Sequence, residues 1–147
     1  MYKNILVAYD GSILSRQAIE AAKHQATLHE DAQVHIVSVI EATGPYTNVS
    51  ISQSIINELR AKFLPQMEKI EEEFEAIDIP ITTEIVVAER NKKPGKLLVK
   101  YAEEQEIDLI IMGSRGLGNI RKVILGSVSN EVVQKAKCPV LVIKDQK

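Results

Sequence analysis

Cysteine is almost missing from this sequence of 147 residues: Cys138 stands alone, which excludes an internal disulfide and suits a reducing compartment. Long hydrophobic runs are missing as well. Nothing approaches the roughly 18 consecutive apolar residues of a membrane-spanning helix, and the N-terminal run Ile5 to Ala8 is far shorter than a signal-peptide core, so the expected location is the cytoplasm. Neither sign of charge dominates. Eighteen Lys and Arg stand against 20 Asp and Glu, and the net charge of −2 offers no overall attraction to nucleic acid or to an anionic membrane. His24, His29 and His35 have no metal-ligand spacing. No G-x-S-x-G elbow is present, and Cys138 has no histidine nearby in sequence to activate it, so it reads as a packed thiol at a strand start. Linkers, low-complexity tracts and internal repeats are absent too. The expectation is one domain over residues 1–147, long enough to bury roughly 68–70% of its unfolded surface without staples.

What is present is an alternation of short apolar runs with amphipathic stretches. Residues 3–9 form a first strand, ended by Asp10-Gly11-Ser12, and a helix follows over about 13–30 with Ala18, Ala22 and Ala26 at four-residue spacing. Residues 33–40 are β-branched and read as a second buried strand, and 41–50, with Gly44-Pro45, as a loop. Ile51, Ile55, Leu59, Phe63, Met67, Ile70, Phe74 and Ile77 then mark one apolar face of a long helix. Pro65 inside it predicts a kink or a break, and Glu71 to Glu73 with Glu75 read as its wet face. Residues 80–88 are a third strand. Pro94 opens a helix to about 105 with Leu97, Leu98, Tyr101 and Ala102 inward, 107–112 is the fourth strand, a helix spans about 126–137, and Pro139 to Lys144 closes the chain as a fifth strand. Five strands alternating with four helices predict an α/β fold with a mostly parallel sheet and right-handed crossovers.

The stretch 108–128, DLIIMGSRGLGNIRKVILGSV, carries the chemistry. A buried strand ends at Gly113, Gly116 and Gly118 follow, and Gly126-Ser127 stands directly before a helix. A glycine-rich turn leading into a helix N-terminus presents bare backbone N–H groups, which suit phosphate oxygens. In this reading a Cβ at Gly113 would block a ligand lying across the strand end. Gly126 lets phosphate approach the main chain, while the Ser127 hydroxyl donates to it or simply caps the helix. Arg115, Arg121 and Lys122 add positive charge beside the loop; a solvated surface arginine is the alternative for Arg115. Two familiar phosphate loops are excluded. Asn119-Ile120 stands where a P-loop needs Lys-Ser/Thr, and Arg121 takes the third glycine of the dinucleotide fingerprint. Asp10, directly after the first strand, could accept from ribose hydroxyls or approach a cation carried by phosphates; an Asx-turn or cap is its structural alternative.

The pattern G-x(2)-G-x(9)-G-S at Gly113, Gly116, Gly126 and Ser127 resembles the ATP-binding signature of the universal stress protein family. The likeness extends to the opening KNILVAYDGS, to GSVSNEVV and to the closing CPVLVIK. It implies a Rossmann-like three-layer domain with strand order 3-2-1-4-5, which brings Asp10 beside the glycine loop at the switch in strand order. It also implies adenine contacts near Ala8 and Val39, with Met112 and Val128 as flanking contacts. ATP with a magnesium-like divalent cation held through its phosphates, and a homodimer paired through strand Pro139–Lys144, complete what the resemblance implies. The expected role is a nucleotide-binding regulatory module. A slow ATPase or phosphotransferase is the alternative, for which the sequence offers Asp10 and Arg115 but no general base with a partner. A phosphoacceptor response regulator is set aside, because Ala88-Glu89-Arg90 stands where a phosphorylated Asp would be needed.

Overall fold

The structure, a computed structural model, describes residues 2–42, 49–115 and 125–145. Five strands form one sheet: β1 (Asn4–Ala8), β2 (Gln33–Glu41), β3 (Ile81–Ala88), β4 (Leu109–Gly113) and β5 (Val140–Ile143). Their order is β3-β2-β1-β4-β5, and every pairing is parallel. Because both faces of a parallel sheet are covered, its central strands are continuously apolar, and Ile5, Leu6 and Val7 of β1 have no exposed surface.

Side chains alternate between two cores. On one face Ile5, Val7, Val34, Ile36 and Ile111 pack under α1 (Ile13–Ala26) and α2 (Val49–Glu75), against Ala18, Ala22, Met67 and Phe74. On the other, Leu6, Val37, Ile110 and Met112 pack under α3 (Pro94–Glu104) and α4 (Ser127–Lys135), against Leu98, Ala102 and Val132. The result is three layers, helix on sheet on helix, as the alternating pattern requires. With β1 and β4 adjacent, the segments that follow them emerge side by side at the carboxyl edge.

Several sequence expectations are corrected. The first helix ends at Ala26 rather than near 30: Thr27 turns its hydroxyl back to the His24 carbonyl, 2.6 Å away, and His29 N–H closes a turn on Ala26. Helix α2 runs unbroken through Pro65. Pro65 lies on the exposed side, as does Ala61, whose carbonyl loses its partner and can turn to water. The inward residues of α2 are Ile56, Phe63, Met67, Ile70 and Phe74, while Ile51 in its first turn and Ile77, two residues past its end, are exposed. In α3 only Leu98 and Ala102 of the four expected inward residues are fully buried, and Leu97 and Tyr101 are half-buried. The loop expected at 41–50 contributes Glu41 to β2 and begins α2 at Val49; 43–48 lie outside the described residues.

The acidic stretch of α2 is not uniformly wet. Glu71 accepts from Thr83 Oγ1 at 2.6 Å, and Glu73 receives the Arg16 guanidinium and, at 2.6 Å, Lys23 Nζ, both from α1. The Arg16 hydrogen bonds hold the Glu73 carboxyl down to about 2, with Lys23 adding to them. Glu73 therefore clamps α1 to α2 on the outside of the first core.

Candidate functional site

Two turns build the carboxyl edge. After β1, Asp10 Oδ1 accepts from Ser12 N–H at 2.9 Å, Gly11 takes a φ of +85°, and Ser12 caps α1 by accepting from Ser15 N–H at 3.2 Å. The Asx-turn alternative for Asp10 is thus realised, and the same residue lines the cleft described below. Tyr9 is fixed from both sides, its N–H on the Val37 carbonyl at 2.9 Å and its carbonyl receiving Ser38 Oγ at 2.6 Å.

After β4, Ser114 is the junction. Its N–H donates to the Ile143 carbonyl of β5 at 2.8 Å, and its carbonyl accepts both Gly126 N–H and Ser129 Oγ at 2.6 Å. These bonds hold the start of α4 against the end of β4. Sequence reasoning does not reach Ser114 and Ser129: each is a small polar residue near one end of the glycine segment, and only the fold brings them together and buries them. Gly126, not Ser127, occupies the cap position, with φ −71° and ψ 172°, and Ser127 is the first helical residue. The helix is held in register through Gly126 and Ser129, so a serine side chain at the cap is unnecessary. No side chain caps the first turn of α4 among the described residues, leaving amides there whose partial positive charge suits an anion.

The glycines divide into two kinds. A Cβ at Gly113 would sit 2.7 Å from Leu14 Cβ, so the packing of α1 is itself a reason for this position to be bare, beside the expected block to a ligand. Among the described residues, a Cβ at Gly126 would meet nothing nearer than Arg115 Cα and the Ser114 carbonyl oxygen, both at 3.4 Å. The packing of the described residues therefore tolerates a Cβ at 126.

Between these turns lies a cleft of about 570 Å³, within the size range of small-molecule sites. Ala8, Asp10, Val39, Met112, Gly113, Arg115, Gly126, Ser127 and Val128 all line it; Gly116, with Gly118, Arg121 and Lys122, lies outside the described residues. Ala8, Val37, Val39, Leu98 and Met112 make an apolar wall, and Asp10, Ser12, Ser127 and Arg115 supply polar groups. The Arg115 guanidinium pairs with the Asp145 carboxylate just beyond β5. Of the residues considered for other chemistry, His35 is buried with its Nδ1 2.8 Å from the Tyr101 hydroxyl, and burial lowers its pKa. Burial raises the Cys138 thiol pKa, the opposite of what a nucleophile needs. Among the described residues no group of three or more His, Cys, Asp or Glu could hold a metal ion, and no helix is long and apolar enough to cross a membrane.

The sequence profile of the universal stress protein family matches residues 1–144. The chain belongs to that family. Universal stress protein MJ0531 of Methanocaldococcus jannaschii is 32% identical over all of this chain and 85% of its own length, and universal stress protein YxiE of Bacillus subtilis is 32% identical over 98% of this chain and 100% of its own. Among solved structures, MJ0577 of Methanocaldococcus jannaschii superposes with a TM-score of 0.88 at 33% identity, covering 100% of this chain and 99% of that one. The three-layer fold with its 3-2-1-4-5 sheet is the fold of this family.

Proposed function

We propose that the cleft binds an adenine nucleotide, with ATP as the expected ligand, and that the protein acts as a nucleotide-binding regulatory module. The observation that carries the reading is convergence: residues from the ends of β1, β2 and β4 and from the start of α4 line one cavity, with an apolar wall at one side and bare helix amides at the other. An aromatic base fits the wall at Ala8 and Val39, and phosphates fit the amides of Ser127 and Val128 beside Arg115. A divalent cation would arrive with the phosphates, coordinated mainly by their oxygens. Asp10 is engaged through Oδ1 in its turn, which favours binding over activation of a water. A universal stress protein has been solved in complex with cAMP and another, from Arabidopsis thaliana, with AMP bound. At 24% and 20% identity those two share the fold, so the nucleotide reading rests on this cleft's own chemistry. Mass spectrometry of small molecules released on denaturing the purified protein is expected to yield ATP or its breakdown products. A nucleotide-free protein that also gives no heat with added ATP and magnesium would overturn the proposal.

The same reading includes a cytoplasmic homodimer. β5 is an edge strand, Leu141 on it and Val133 on α4 are exposed apolar residues, and an uncovered edge of this kind invites pairing. Pairing of Pro139–Lys144 with its copy about a twofold axis would bury both. Light scattering at micromolar concentration is expected to return twice the chain mass; the single-chain mass would contradict the pairing.

A further inference from the structure

One charge pair at the edge of the cleft has a partner that belongs to neither of the two turns. Arg115 is the residue after the Ser114 junction; its Cα stands 3.4 Å from where a Cβ on Gly126 would be, so its backbone borders the first turn of α4. Its guanidinium is turned toward Asp145, two residues past the end of β5, and the two form an ion pair through Nη2 and Oδ2. The Arg115 side chain is largely covered, at 25% exposed, whereas Asp145 is 43% exposed. A guanidinium recognises a carboxylate and a phosphate by the same forked geometry. The two anions therefore compete for one cation.

We infer that Asp145 is an internal competitor for Arg115, a carboxylate latch that a bound nucleotide's phosphates must displace. The inference rests on the nucleotide reading and deepens it, because it assigns to the segment after β5 a control over affinity at the phosphate end alone. Asp145 is a positioning residue in this scheme: it acts through Arg115 and touches no ligand. The base end, at Ala8 and Val39, lies on other strands and is indifferent to the latch.

The test is calorimetric titration of ATP with magnesium, and separately of adenosine, into the full chain and three variants: Asp145→Asn, Arg115→Gln and the double variant. Releasing one partly exposed pair is expected to lower the Kd for ATP about twofold to fivefold in Asp145→Asn, an advantage that shrinks as salt is raised. Adenosine affinity is expected to stay constant. Arg115→Gln is expected to weaken ATP binding, and adding Asp145→Asn to it to change the Kd by less than about 1.5-fold, the signature of coupling between the two residues. Asp31→Asn, which removes the same charge at the opposite end of the sheet, is expected to change nothing. If the unmodified chain binds ATP while Asp145→Asn binds it equally or more weakly, the latch is overturned and the nucleotide site stands. An equal gain for adenosine, or for ATP in the Arg115→Gln background, also overturns the latch. If the unmodified chain binds neither ligand, both readings fall.

Discussion

Replacing Gly126 by Val is expected to abolish ATP binding in a protein that remains folded. The backbone at this position, φ −71° and ψ 172°, is extended and open to any residue, β-branched ones included. A Cβ there finds contacts of 3.4 Å with Arg115 Cα and the Ser114 carbonyl, tight but short of collision. The bonds that hold α4 to β4 use the Gly126 main chain and the Ser129 hydroxyl, and neither is removed by the substitution. The fold should lose no more than the roughly 1 kcal/mol by which valine is a poorer cap residue than glycine. In the cleft the outcome differs, because two γ-methyl groups would stand where phosphate oxygens reach the amides. Charge-assisted hydrogen bonds contribute about 1.5–3 kcal/mol each, so losing two of them weakens binding by roughly a hundredfold or more. Gly126→Ala should fall between. Calorimetry with ATP alongside a thermal melt reads both quantities, and ATP affinity unchanged in Gly126→Val would mean that phosphates do not approach this main chain.

The parts of the molecule legible in the sequence were those governed by local pattern. Ile5 to Val7 and Leu109 to Met112 are apolar at every position because both faces of their strands are covered, and that is visible without knowing which strands are neighbours. The position of Gly126 just ahead of a helix was equally visible, since the apolar spacing after it has a helical period. The partners of individual residues were less accessible. Glu73 looked like one of four solvated carboxylates, and what sets it apart is Arg16, 57 residues earlier, delivered by the packing of α1 on α2. Ser114 and Ser129 are 15 residues apart, joined only because the chain between them returns to the same edge. Ser127 was expected to cap α4 by propensity, and propensity gave way to a main-chain bond from Gly126 to Ser114. Pro65 was expected to distort its helix, but the carbonyl it orphans is on the solvent side, where water replaces the missing bond.

Gly113 is where local and long-range reasoning diverge most, and Gly113→Ala is expected to cost about 1–3 kcal/mol of stability by overpacking. Its φ lies outside the left-handed region, so alanine meets no backbone strain, and the smaller conformational freedom of the unfolded alanine chain returns only about 0.4–1 kcal/mol. The cost arises because the new methyl would lie 2.7 Å from Leu14 Cβ, 3.2 Å from the Arg115 carbonyl oxygen and 3.4 Å from the Leu14 carbonyl carbon. Leu14 Cβ cannot swing aside as the tip of a long side chain could; moving it means moving the first turn of α1. That turn is pinned by the Ser12 cap, by Ala18 and Ala22 packed flush on the sheet, and by the clamp from Arg16 and Lys23 to Glu73. For a chain of this size each kcal/mol corresponds to roughly 2–4 °C in Tm, so a fall of several degrees is expected in a melt without ligand. Because α1 also carries Ser12 and Ser15 into the cleft, a shifted α1 would weaken ATP binding as a secondary effect, proportionate to the loss of stability. The opposite pattern, an unchanged melt with ATP affinity lost, would show that the ligand rather than α1 keeps this position bare.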